Sequence, residues 1–400
     1  MIQIICPNNN IPERNYAISV LFCEVLGCNN EELDIVFDDS AKEYSILVSG
    51  ECRWIVIEDH FFNYHPMPLT YMKKENLPQE LLFFHAYGLE LPIIYGKDYL
   101  LDESNKVVVG IDIFASTFFM LTRWEESLIG REETGDCDET QLFCVKNEIH
   151  WRPIVNEYAN LLRKLLPPDL ILSTREYEVA LSHDVDGFVT PSWRKISKDF
   201  LRQSIHGAPR NKVLNLTWKE EIKYKYAFPK VYSQFDMYTT LAEKYKISEW
   251  FYFKVCGRGE TEATYFYDDK KTREIVENLK MKGNSKLLIG FHPSQNTFGD
   301  RSQWEEEMRR LVGLLKEQPT IGRNHHLLYN HEMLHFWESV SDAPLNISNC
   351  VFHKRQGFRS GVCVPYHLFD LYQRRMMNLI EHPCQIMDTV VRYDEKVKTK

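Results

Sequence analysis

The stretch Glu178 to Gly187, EVALSHDVDG, carries two carboxylates two positions apart. Alternate side chains of extended backbone point to the same side, so Asp184 and Asp186 share a face while His183 and Val185 take the other. Residues 178–181 have strand character and run into a turn. Paired carboxylates at the C-terminal end of a buried strand are where α/β enzymes place metal ligands and bases, because the loops there form the open mouth of the fold. A plain surface turn, which Asp and Gly also favour, is the alternative. Downstream residues tip the balance toward chemistry. His292 ends one apolar run in GFHPSQN, Arg323 and His325 follow the next in IGRNHH, and Asp388 ends CQIMD. Four separate strand ends offering Asp, His, Arg with His, and Asp point to one shared site.

For these residues to meet, strands and helices must alternate. Val231 to Tyr245 has helical spacing, Trp250 to Cys256 reads as a strand, Thr272 to Met281 as a helix and Leu287 to Phe291 as a strand. A helix follows, opened by a Ser302 to Glu305 capping box and carrying Trp304, Met308, Leu311, Val312 and Leu315 on one side. That alternation predicts a parallel sheet or barrel with its site at the strand C-termini. Between the first strand and its helix, Phe188 to Lys230 holds ten Lys or Arg against three acids. Its segment SWRKISKDFLRQSI reads as a membrane-surface helix or, in preference, as a lid over the site.

Residues 1–168 form a smaller α/β layer without a catalytic cluster. Ile2 to Ile5 reads as an edge strand, Arg14 to Leu26 as an amphipathic helix, and Leu33 to Phe37, Tyr44 to Val48 and Arg53 to Glu58 as strands. GIDIFASTFFMLTRWEE, Gly110 to Glu126, is an aromatic-rich helix of the kind that builds a core or a domain interface. Arg152 to Leu166 is a further helix, and Pro167 and Pro168 mark a linker. The expected organisation is therefore 1–168 followed by 169–400.

Composition narrows the function classes. The 400 residues are 44% hydrophobic and 26% charged with a net charge of -9, a globular chain without the basic face that a general nucleic-acid binder needs. The ten cysteines include no C-x-x-C pair, which argues against a zinc ribbon, a thioredoxin-like motif or a disulfide framework. The opening MIQIICPNNNIPERNY lacks the features of a secretory signal, and no run of 18 apolar residues occurs, so a cytoplasmic location is expected.

With these motifs in place, the chain resembles the polysaccharide deacetylases, carbohydrate esterase family four. SHDVDG is similar to that family's T-F-D-D-G with one residue inserted, which implies Asp184 as base and Asp186 as metal ligand. HPSQN resembles H-[ST]-x-x-H, implying His292 as a ligand, with Asn296 where the second histidine stands. Arg323-Asn324-His325-His326 resembles R-x-P-Y, implying that Arg323 orients the base and that His325, in place of the proline, supplies a third ligand. Asp388 stands for the acid histidine of the fifth motif, and GFRSGVCVP, Gly357 to Pro365, is loosely comparable to the fourth. A bacterial subgroup with an N-terminal domain of unknown function is closer still, reading SHDVD, HPS, R-x-H, GFR-x-G-x-C-x-P and MD in this order. Asn346 departs from it where an acid is expected.

The resemblance implies a distorted parallel (β/α) barrel preceded by a smaller α/β domain. It also implies a hydrolase that uses a divalent metal, most simply Zn2+, to remove an N-acetyl group from an amino sugar or glycan intermediate in surface polysaccharide synthesis. Two other readings compete. Asn296 and Asn346 suit a silent glycan-binding barrel. His331-Glu332-Met333-Leu334-His335 fits the zinc-protease pattern H-E-x-x-H, although the extended G-x-x-H does not follow it and no Glu lies between Glu338 and Glu381 to serve as the third ligand.

Overall fold

β1 (Ile2–Pro7) buries Ile2, Ile4 and Cys6, the period of two that IQIICP carries. In this computed structural model it is not an edge strand. β2 (Leu33–Asp38) pairs with it in parallel and β3 (Tyr44–Val48) antiparallel, so β1 separates two strands that are consecutive in the chain. The structure describes residues 1–130, 137–168, 170, 172–173, 175–187, 197, 232–256, 263, 265–282, 286–331, 337–338, 345, 347–352, 355–388 and 390–391. Two compact units emerge: Met1–Glu176 with Leu327–Val340 and Pro344–Lys400, and Tyr177–His326 with Ser341–Ala343.

In the first unit, α1 (Ile11–Ser19) continues as a π-helical stretch, Val20–Leu26. β4 (Trp54–Ile57) joins β3, β5 (Leu82–Ala86) and β6 (Leu89–Ile93) form a separate hairpin, and β7 (Gly96–Asp102) and β8 (Lys106–Ile111) complete a six-stranded sheet of order β2-β1-β3-β4-β8-β7. α2 (Ile113–Thr122) starts where the Asp112 carboxylate accepts from the Ala115 N–H at 3.0 Å, and every residue of the helix is buried. It stops at Arg123, left-handed at φ 48°, short of the expected end at Glu126. A 3-10 turn, Trp124–Leu128, then redirects the two glutamates. α3 (Phe143–Lys146) and the amphipathic α4 (Ile154–Leu165) follow.

The second unit alternates as its sequence pattern predicts: β9 (Ala180–Val185), α5 (Ser233–Tyr245), β10 (Ser248–Phe253), α6 (Lys270–Met281), β11 (Leu287–Phe291), α7 (Arg301–Leu315) and β12 (Ile321–Gly322). The four strands run parallel in the order β12-β11-β10-β9, and all of β10, SEWFYF, is buried, as a strand covered on both faces must be. This is a parallel α/β arrangement; a closed (β/α) barrel is not shown. β9 runs on to Val185, so Asp184 lies within the strand rather than in a turn. The capping oxygen of α7 comes from Asp300, which accepts from the Gln303 N–H at 3.0 Å, instead of from Ser302.

The chain then returns to the first unit with β13 (Ile347–Ser348), β14 (Tyr366–Asp370) and β15 (Arg375–Glu381). Residues 382–387 form no strand, so CQIMD is not the last strand expected of it; Pro383 offers no N–H for a ladder bond. Arg374 pairs with the buried Glu13 of α1 at 2.7 Å, the Tyr16 hydroxyl donates to the His367 carbonyl at 2.7 Å, and Phe369 packs on Tyr16 and Phe118. A fragment 169–400 loses all of these partners. It is expected to expose the apolar face of β14 and to aggregate in size-exclusion chromatography; a monodisperse fragment would show that this packing is dispensable.

The basic insertion Phe188 to Lys230 apart from Ser197, Glu332 and His335 of the second motif, and Asn346 lie outside the described residues. Among the described residues no helix is long and apolar enough to cross a membrane.

Candidate metal centre

Strand register builds the site. Val185 pairs with Phe253, Phe253 with Phe291, and Phe291 with Gly322, so the last residues of β9 to β12 stand on one level. The next residue of each strand is Asp186, Lys254, His292 and Arg323. Four polar groups thus line one edge where four parallel strands end. The ladder holds beyond the strands, since the His292 N–H donates to the Phe253 carbonyl at 3.0 Å and the Arg323 N–H to the Phe291 carbonyl at 2.9 Å.

One carboxylate serves a cation of the chain. Arg323, 4% exposed, donates from Nη1 to Asp184 at 2.9 Å and from Nη2 to the Ser182 hydroxyl at 2.6 Å, and lies over the Tyr252 ring at 4.7 Å. Ser182 and Asp184 share a face, as alternation requires. On the opposite face His183 stacks on Phe251 and Tyr238 at 4.9 and 4.3 Å. Burial raises the proton affinity of Asp184, but the Arg323 charge, then that of His292, and the Arg323 hydrogen bond outweigh it and hold the carboxyl below its ordinary pKa.

The other carboxylate faces two imidazoles. Asp186, His292 and His325 offer one donor atom each, all within 4.8 Å of one another. His292 is fully buried, and its Nδ1 lies 2.6 Å from the Arg323 carbonyl, which fixes that nitrogen as the N–H. Its Nε2 therefore carries the lone pair. That atom is buried without a hydrogen-bond partner and lies 3.7 Å from Asp186 Oδ1. Burial, then Lys254 and the neighbouring histidines, push His325 down to about 4, while burial also lowers His292, so both imidazoles are uncharged at neutral pH. A buried, correctly oriented, unsatisfied imidazole beside a carboxylate and a second imidazole fits a divalent ion with nitrogen and oxygen ligands.

A model of a family of unknown function, DUF7033, matches residues 2–169. No curated protein matches the chain. Among solved structures, a Bordetella bronchiseptica protein described as a "putative polysaccharide deacetylase involved in o-antigen biosynthesis" aligns at 11% identity and a TM-score of 0.23. The alignment covers 37% of this chain and 50% of that one. A score this low carries neither fold nor function across.

The remaining expected residues are placed as follows. Asn296 is exposed on the short turn Gln295–Thr297 after His292. Asp388 is exposed and belongs to the first unit. Arg359, centre of the GFR motif, is also in the first unit, where it pairs with Glu126 at 2.9 Å. Gly357 and Gly361 flank it at φ 140° and 64°, and a Cβ would meet the His150 carbonyl at 2.4 Å and Met120 at 2.7 Å. The backbone of His150 leaves no room for a side chain at Gly357, while at Gly361 it is the left-handed φ, more than the flexible Met120 methyl, that favours glycine. His331 is buried edge-on to Tyr329.

Two residues escaped the sequence reading. Glu307 of α7 is 1% exposed and accepts from the Ser294 N–H at 2.8 Å and its hydroxyl at 2.6 Å, bracing the loop that carries His292. Its signal was present, for Glu307 falls on the apolar face between Trp304 and Leu311. Lys254 stands inside the apolar run WFYFKVC, and a charge there is itself the signal.

Proposed function

We propose that the second unit is a metal-assisted hydrolase of carbon–nitrogen bonds that removes the acetyl group from an amino sugar. The observation that carries the reading is His292, whose Nδ1 is held by the Arg323 carbonyl and whose orphaned Nε2 faces Asp186. The likeness of SHDVDG, HPS and R-x-H to deacetylase motifs supplies the substrate class. Asp186, His292 and His325 would hold the ion, and zinc suits their nitrogen and oxygen donors. An ion bound there supplies Lewis acidity and makes water a stronger acid at neutral pH. Asp184 acts as the base. Arg323 keeps it ionised at neutral pH and fixes the direction of its free oxygen, so it takes the proton of the attacking water. The charges that keep Asp184 ionised also make its protonated form a strong acid, which returns that proton readily to the departing amine.

Purified protein is expected to hold one divalent ion per chain, measured by elemental analysis, and to release acetate from at least one of a panel of N-acetyl sugars. Asp186→Ala and His292→Ala should both lose the ion. Retention of metal by both variants, or acetate release that is indifferent to a chelator, would remove the basis of the assignment.

A further inference from the structure

One cation at this edge has no part in the reaction as proposed. The Lys254 side chain is 0% exposed, and its Nζ lies 3.0 Å from Asp186 Oδ1. This is the same oxygen that lies 3.7 Å from His292 Nε2. The ammonium therefore occupies the carboxylate oxygen that faces the imidazole donors. Its place is built in. Lys254 directly follows β10, whose last residue is paired on both sides, and the Tyr265 hydroxyl lies 2.9 Å from the Lys254 carbonyl and 2.7 Å from that of Val185, tying the two strand ends together. The stem is buried and the head reaches Asp186 at the site edge.

We infer that Lys254 is a resident counter-cation of the metal centre, which competes with the divalent ion for Asp186 and weakens its binding so that occupancy is reversible. The inference rests on the metal reading above. Two positive charges drawn to one carboxylate repel each other, and at a buried edge that repulsion is far stronger than in water. An ion that binds must displace the ammonium from Oδ1 or share the oxygen with it, and either course costs affinity. The opposite role, a lysine that merely holds Asp186 in its ligating position, predicts the opposite sign on removal of the charge.

Isothermal titration of the metal-stripped full chain with zinc chloride distinguishes them. Lys254→Met keeps the length and apolar stem, and Lys254→Gln keeps a polar head without charge. Neither strands a buried charge, because the Asp186 side chain is 52% exposed and hydrates; circular dichroism verifies the fold of each. Both variants are expected to bind zinc about tenfold more tightly than the parent, given a like charge removed from 3.0 Å beside the ligand oxygen. Asp186→Asn should abolish uptake in either background. Zinc binding that depends on Asp186 but is unchanged or weaker in both lysine variants overturns this inference and leaves the metal reading standing. No uptake by the parent or by either variant overturns both.

Discussion

Asp184→Asn is expected to lower acetate release on the order of a hundredfold to ten-thousandfold, the usual contribution of a general base, while zinc uptake stays near the parent value. The substitution preserves shape and keeps one oxygen able to accept from Arg323 Nη1. It removes the only property the reaction needs, the affinity for a proton. The fold tolerates the change because Arg323 retains the Ser182 hydroxyl and the face of Tyr252. Part of the ion-pair energy is still lost, so the unfolding midpoint should fall modestly. Rate per folded molecule separates the two effects. A variant that releases acetate at the parent rate, corrected for folded fraction, would show that Asp184 and Arg323 form a structural pair. The metal measurement makes the result specific, since a general collapse of the site would lose the ion as well.

The second unit was legible because its signals are local. Apolar runs ending in Asp, His or Arg mark strand C-termini, and amphipathic segments between them mark helices, so the alternation and the strand-end groups Asp186, His292 and Arg323 followed from spacing, whereas Lys254 did not. The alignment of Asp186, Lys254, His292 and Arg323 on one level was not legible, because it is set by pairing register between segments 30 to 70 residues apart. The same limit governs β1: no local pattern tells an internal strand from an edge strand when its partners come from later in the chain. α2 shows another. Its apolar sequence would continue to Trp124, but the left-handed Arg123 ends it, and only the packing of the charged tail explains why. The aromatic helix was expected to form core, whereas the acids and arginine at its end gave no local sign that they would be buried beside it.

That buried charge cluster sets the largest expected change in stability: Glu126→Gln should destabilise the first unit by about 3–5 kcal/mol, the cost of breaking a buried ion pair by removing one partner. Glu126 receives Arg359 through two parallel hydrogen bonds at 2.9 and 3.1 Å, and Arg123 Nε lies 3.3 Å away. Removing the carboxylate leaves two guanidinium groups, each 4% exposed or less, without the charge between them. Arg123 keeps the face of Tyr329 at 3.8 Å, and Arg359 keeps the Phe352 carbonyl at 2.7 Å and the more distant Glu139 carboxylate at 3.7 Å, which offsets only part of the loss. The pH dependence tests the assignment further. Burial pushes the Glu126 carboxyl up, yet Arg359 and Arg123 outweigh it and hold it at about 2, below the ordinary 4.5. Its contribution is therefore fully present above pH 4.5 and lost as the pH falls through about 2. Neighbouring Glu125 has the opposite sign: burial raises it to about 8, so the folded state retains a proton that the unfolded chain releases, and stability declines as the pH rises from 4.5 toward 8. Denaturant midpoints followed by the fluorescence of the buried Trp124 should show the acid limb shrink in Glu126→Gln and the alkaline limb shrink in Glu125→Gln, the remainder of the alkaline limb coming from Asp112, which burial and Asp59 also raise to about 8. Shrinkage of both limbs in either single variant would mean that the two acids titrate as one group, and shrinkage of neither would place the pH dependence elsewhere in the chain.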